Sequence, residues 1–141
     1  MRIVLDTSVL VAAIRSPTGA SKALLDAALS GQIETLISTA LVLEYEAVLT
    51  RPDHLSVSEF TLGDVEELLD AICEIATQVM IRWHWRPQLN DPDDEMVLET
   101  AINGYADAIV TFNEADFVRA AKNFDLMVLA PSEALKKVDI P

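Results

Sequence analysis

The sequence predicts an α/β fold: a parallel sheet of about five strands, covered by helices on both faces. Two observations carry this. Short apolar runs rich in β-branched residues recur along the chain, and stretches of helical periodicity separate them. Strands that alternate with helices pair in parallel, and such sheets bury both faces. The working crevice of such a fold lies at the carboxyl ends of its strands.

Arg2 to Leu5 is the first predicted strand, ended by Asp6-Thr7-Ser8. Ser8 or Thr7 is a suitable cap for a short helix over Val9 to Ile14. Ser16-Pro17-Thr18-Gly19 is a loop of turn residues. Ala20 to Leu29 has helical periodicity, with Gly31 as its stop. Ile33 to Ser38 is the second strand. A helix over Thr39 to Thr50 ends before Arg51-Pro52, because the residue before a proline disfavours the helical region. Asp53 to Thr61 carries little pattern and reads as a helical turn.

Gly63 to Thr77 has an apolar stripe at Val65, Leu68, Leu69, Ile72, Ile75 and Ala76. That stripe serves either the core or a partner. Val79 to Trp83 is the third predicted strand, followed by an irregular loop through Pro87 to Pro92. A helix from about Asp94 to Asn103 ends at Gly104. Ala108 to Thr111 is a strand, Glu114 to Lys122 a short helix, Leu126 to Leu129 the last strand, and Pro131 opens a final helical turn.

Composition bounds the function. With 141 residues, 51% hydrophobic and 23% charged, the chain fits one globular domain with a substantial core. No apolar run approaches the roughly 18 residues of a membrane span. Asp6 interrupts the amino-terminal apolar run too early for a signal peptide. Cys73 is the only cysteine, so neither a disulfide framework nor a thiolate cluster is available. The simple expectation is a cytoplasmic protein with no membrane association. A net charge of -13, from 23 acids against 10 bases, opposes generic nucleic-acid coating. Acids gathered to hold cations would account for part of that excess.

The acids collect where strands end. Asp94 precedes Val97, Leu98 and Ala101 on one helix face, at the positive end of the helix dipole. Capping alone would explain Asp91, Asp93 and Asp94, yet three acids exceed what a cap needs. Asp6 could equally start a helix, and Asn113 with Asp116 matches a capping box. Glu44 and Glu46 both border the stripe of Leu41, Tyr45 and Val48, and periodicity does not choose between them. Two unit charges about 4 Å apart repel by roughly 4 kcal/mol at an effective dielectric of 20. A cluster of four carboxylates therefore calls for cations, and oxygen-only ligands suit Mg²⁺ or Mn²⁺. Other chemistries fit badly. His54 and His84 fall in uncertain or loop regions, with His84 a packing or surface residue. No glycine-rich phosphate loop exists, and a calcium loop from Asp91 would need glycine at Met96.

Four pieces in order carry a family likeness: Ile3-Val4-Leu5-Asp6-Thr7-Ser8-Val9; Ser38-Thr39-Ala40-Leu41-Val42-Leu43-Glu44 with Arg51-Pro52; Asp91-Pro92-Asp93-Asp94 leading to Leu98 and Ala101; and Ala106 through Phe117. They resemble the PIN-domain family of metal-dependent ribonucleases, especially VapC-type toxins of toxin–antitoxin pairs, over essentially the whole chain. The resemblance implies a three-layer α/β/α domain spanning 1–141. It makes Asp6, Glu44, Asp94 and Asp116 an acidic quartet for one or two Mg²⁺ or Mn²⁺ ions, breaking the tie with Glu46. Ser8, Asp91, Asp93, Thr111 and Asn113 would support it. Many relatives have aspartate where Asn113 stands, and its carbonyl could still ligate. The implied activity is hydrolysis of RNA phosphodiester bonds by metal-activated water, with a cognate antitoxin and a homodimer as partners. Arg15, Lys22, Arg51 and Arg86 are candidate contacts to the RNA backbone. Two other readings stand beside this one: a catalytically weak module that binds an antitoxin or RNA, and a DNA-directed nuclease.

Overall fold

The computed structural model describes residues 1–84, 86, 88–89 and 91–138. Its strands are β1 (Arg2–Leu5), β2 (Glu34–Ile37), β3 (Thr77–Gln78), β4 (Ala108–Val110) and β5 (Met127–Leu129). They form one sheet in the order β3-β2-β1-β4-β5, with every pairing parallel. The helices are α1 (Thr7–Arg15), α2 (Ala20–Leu29), α3 (Thr39–Leu49), α4 (Pro52–Val57), α5 (Leu62–Ile75), α6 (Pro92–Asn103), α7 (Glu114–Ala121) and α8 (Pro131–Lys137). A 3-10 turn over Lys122–Phe124 extends α7. No helix among the described residues is long and apolar enough to cross a membrane.

The chain winds outward from β1 to β2 and β3, then returns to the other side of β1 for β4 and β5. The order reverses between β1 and β4, and such a switch point opens a crevice at the strand ends. Register places Leu5 opposite Val110, and the Asp6 amide donates to the Val110 carbonyl at 2.9 Å. Ile3, Val4 and Leu5 are all buried, as are Ala108, Ile109 and Val110. Successive strand side chains face opposite ways, so helices cover both faces.

Local chemistry fixes the helices around this crevice. The Ser38 hydroxyl caps α3, accepting from the Leu41 amide at 3.3 Å, and also bonds the Thr100 hydroxyl of α6 at 2.8 Å. Tyr45 of α3, buried, donates its hydroxyl proton to the Leu5 carbonyl at the end of β1. Thr61 and Asp64 form a reciprocal capping box at the start of α5. Val65, Leu68, Leu69 and Ile72 of α5 are buried in the core, so that part of the stripe is structural, while Ile75 at its end is exposed.

The helical turn expected after Arg51 is α4, with Pro52 at its first position, where the missing amide proton costs nothing. Two expectations need correcting. Asp6 holds the N-cap position of α1, which starts at Thr7, two residues before the expected Val9. The third strand is Thr77–Gln78, not Val79 to Trp83. The Val79 amide still reaches the Ile37 carbonyl at 2.7 Å, but β2 ends there. Beyond it the Asn103 side chain of α6 captures the chain: its Oδ1 accepts from the Arg82 amide at 2.9 Å and the Trp83 amide at 3.0 Å. Pro87 and Asn90 of the expected irregular loop lie outside the described residues.

Gly104 closes α6 with φ of -92°, a conformation open to any residue, so the demand for glycine is one of space. A Cβ there would stand 2.7 Å from a Leu36 methyl, 2.7 Å from a Val79 methyl and 3.0 Å from the Thr100 carbonyl. Gly104→Ala is expected to cost about 1–3 kcal/mol by overpacking. Urea denaturation checks this, and an unchanged midpoint would show that the β2–α6 junction yields freely.

Candidate active site

The Asp6 side chain is buried at the carboxyl end of β1. A lone buried carboxylate is costly unless it is hydrogen-bonded. Two hydroxyls meet that need on the same oxygen: Ser8 Oγ donates to Asp6 Oδ2 at 2.8 Å and Thr111 Oγ1 at 2.7 Å. Among the described residues, Oδ1 accepts no hydrogen bond. The Asp6 side chain makes no cap to its own helix, so a capping role does not account for it. Both hydroxyls are committed further. Ser8 Oγ accepts from the Phe112 amide at 3.3 Å, and Thr111 Oγ1 accepts from the Asn113 amide at 2.9 Å. The β4–α7 turn is thereby tied to Asp6.

At the start of α6 one acid does the capping. Asp91 Oδ1 accepts from the Asp93 amide at 2.9 Å, which leaves Asp93 and Asp94 without a cap role. Asp94 is partly exposed, and its carboxyl is pushed up to about 7. Burial is the largest cause, followed by the negative charges of Asp6, Asp91, Asp116 and Asp93. Glu44 on α3 shows the same crowding. Its carboxyl is raised by burial, then by Asp93, Asp91 and Asp6, against an opposing pull from Arg51. Glu46 is exposed. The Tyr45 phenol is raised by its burial and by Asp6.

Acids from β1, α3, α6 and α7 therefore share one electrostatic neighbourhood at the switch point. Among the described residues, no three His, Cys, Asp or Glu side chains form a ready-made cation cage. Asn113 and Asp116 do not build the expected capping box. Asn113 precedes α7 without a side-chain cap, and Asp116 is exposed on the first turn.

Two functional-looking acids escaped the sequence reading. Glu95 and Glu99 of α6 are buried, each 3% exposed, and both grip the segment before the helix. Glu95 Oε1 accepts from the Gln88 amide at 2.6 Å and the Leu89 amide at 2.8 Å. Glu99 receives Arg86 Nε at 2.7 Å, the Arg86 Nη2 group and His84 Nδ1. With Asn103, these residues form a ladder at four-residue spacing along one face of α6. Arg86 is thus committed to a buried carboxylate rather than left for RNA, and exposed His84 is an ion-pair partner. Lys22 likewise pairs with Asp26 at 2.6 Å. The signal available in the sequence was the spacing of Glu95 and Glu99 on an otherwise apolar helix face.

The strapped segment forms a wall of an open groove of about 610 Å³ beside the acids. Gln88, Leu89, Asp91 and Asp94 face Asp116 and one side of α7 across it. A parallel α/β sheet with carboxylates collected at its switch point is the frame of an acid-rich ligand site. The chain belongs to the PIN domain family, whose profile matches residues 2–115, a family generally of nucleases. No curated protein matches the chain. In fold it is similar to a chain of the crystal structure of VapBC2 from Rickettsia felis bound to a DNA fragment from their promoter. That likeness has a TM-score of 0.60 at 17% identity, covering 92% of this chain and 98% of the other. It is also similar to a chain of FitAB bound to an IR36 DNA fragment, with a TM-score of 0.58 at 18% identity, covering 92% and 94%.

Crowding at Asp94 sets a pH dependence. The folded chain holds the Asp94 proton up to about pH 7, the unfolded chain only to an ordinary 3.8. Its contribution to stability is complete below about pH 4 and is lost as pH rises through 7. Asp94 is partly exposed, so solvent screening reduces the effect to on the order of 1 kcal/mol. In chelator, Asp94→Asn should therefore be more stable than wild type at about pH 8 and gain nothing near pH 4. Thermal melts across that range check it. Parallel profiles for the two proteins would mean the carboxylates do not crowd Asp94.

Proposed function

We propose that the chain is a metal-dependent endoribonuclease and the toxin of a toxin–antitoxin pair. Asp6, Glu44, Asp94 and Asp116 hold Mg²⁺ or Mn²⁺, with Ser8, Asp91, Asp93, Thr111 and Asn113 in support. The observation that carries this is the crowding of carboxylates from four elements around a buried Asp6 whose Oδ2 is clamped by two hydroxyls. The oxygen-only donor set fits a hard divalent cation, and mutual repulsion gives these acids no structural benefit without one.

The cation supplies positive charge against the scissile phosphate and acidifies water for in-line attack. The protein's part is positioning. Ser8 and Thr111 fix the rotamer of Asp6 and occupy one of its oxygens, leaving Oδ1 for a ligand. Asp94, at the positive end of the α6 dipole, would hold the cation as a carboxylate. Asp116 presents its carboxylate from the first turn of α7 at the groove rim. The products carry 5′-phosphate and 3′-hydroxyl ends. The fold likeness to chains of VapBC2 and FitAB supports a cognate antitoxin as partner. We place the protein in the cytoplasm as a homodimer.

The test is cleavage of a mixed RNA pool by the purified protein, with Mg²⁺ or Mn²⁺ and with chelator. Cutting should need the cation and fall by at least about 100-fold in Asp6→Asn and Asp94→Asn. Thr111→Val, which removes a hydroxyl partner of Asp6 and the acceptor of the Asn113 amide, should cost about 10–100-fold. Folded variants, a wild type that neither cuts nor binds Mn²⁺, and RNA affinity indifferent to metal would make the protein a binding module.

A further inference from the structure

Arg119 lines the groove one turn beyond Asp116, and among the described lining residues it is the only lysine or arginine. Asp116 stands three residues earlier on the same helix, the spacing at which ion pairs form. Yet among the described residues no carboxylate lies within the 4.0 Å of an ion pair with Arg119. Three other cations are engaged with acids, Arg2 with Glu34, Lys22 with Asp26 and Arg86 with Glu99, whereas Arg51, whose charge acts on Glu44, forms no ion pair among the described residues. Ala115 and Ala120 also line the groove beside Arg119. The facing wall is held by Glu95 through the Gln88 and Leu89 amides, so the groove is preformed.

We propose that Arg119 binds the RNA phosphate that flanks the scissile one. This rests on the nuclease reading above. A polyanion approaching a chain of net charge -13 needs a cation next to the acids to hold it in register. Helical rise places the Arg119 backbone about 4.5 Å along α7 from Asp116, and the long side chain extends that reach. A volume of about 610 Å³ falls within the size range of ligand clefts, with room for a nucleotide beyond the scissile bond. A guanidinium forks onto a phosphate bidentately, which lysine cannot reproduce. Favourable charge at the carboxyl end of α7 would be supplied equally by lysine, so the two roles separate by substitution.

The experiment uses a short RNA containing one bond that wild type cuts, and the same RNA with a neutral methylphosphonate at the flanking linkage. Arg119→Ala should raise KM about tenfold with a much smaller change in kcat. It should also lower the slope of log(kcat/KM) against log salt by about 0.7. The neutral linkage should impair wild type and leave Arg119→Ala no worse. Arg119→Lys should restore the salt slope without restoring KM. A wild-type KM and salt slope in Arg119→Ala would overturn the assignment, as would a neutral linkage that impairs both proteins equally. A wild type that does not cut in Mn²⁺ fails at the first step, sinking the nuclease reading and this one with it.

Discussion

Everything near the switch point depends on how one buried carboxylate is held. Asp6 sits where the strand order reverses, between the ends of β1 and β4. The two hydroxyls that satisfy it come from opposite sides of that seam, Ser8 after β1 and Thr111 after β4. One oxygen atom therefore joins two stretches 105 residues apart. The same hydroxyls accept the Phe112 and Asn113 amides, so the turn that delivers Asp116 is set by the groups that solvate Asp6. On the other side Tyr45 donates to the Leu5 carbonyl and brings its neighbour Glu44 to the same place. The hydrogen bonds that make the burial of Asp6 tolerable are also those that assemble the acids.

Repulsion among those acids balances that order. The N-terminal dipole of α6 favours Asp91, Asp93 and Asp94, but burial, followed by the charges of Asp6, Asp91, Asp116 and Asp93, raises the Asp94 carboxyl to about 7. Only Asp91 relieves its position through a cap, to the Asp93 amide. Retained structural acids would be expected to find partners, as Glu95 and Glu99 do on the same helix. α6 thus carries two kinds of carboxylate, one kind satisfied by the chain and one kind, Asp93 and Asp94, with no side-chain hydrogen bond among the described residues.

Much of this was legible in the sequence because strands and acids follow short-range rules. Ile3-Val4-Leu5 ending at Asp6, and Ala108-Ile109-Val110 running to Thr111, mark both strand ends with the residues that meet there. The Glu44–Glu46 ambiguity was different in kind. Both border the apolar stripe, and only the docking of α3 through Tyr45 makes Glu44 the half-buried one. Val79 to Trp83 misled because its apolar residues suit a strand, whereas its backbone amides were claimed by Asn103, a long-range event. Glu95 and Glu99 were passed over for the same reason: their partners are main-chain amides and side chains of a patternless loop. Arg119 carried no local signal apart from its distance to Asp116.

The Asn103 contact also bears on how copies of this chain behave at high concentration. β3 is the sheet's outer strand and is two residues long. An outer strand with free amides and carbonyls is a template on which another molecule can add its own strand. Here the amides of Arg82 and Trp83, beyond Val79, Met80 and Ile81, are taken by Asn103 Oδ1, and its Nδ2 donates to the Trp83 carbonyl at 3.0 Å. A side-chain amide has replaced the missing neighbour strand. Met80 and Trp83 remain exposed there, yet the Trp83 amide and carbonyl, which could pair with an incoming strand, are already taken.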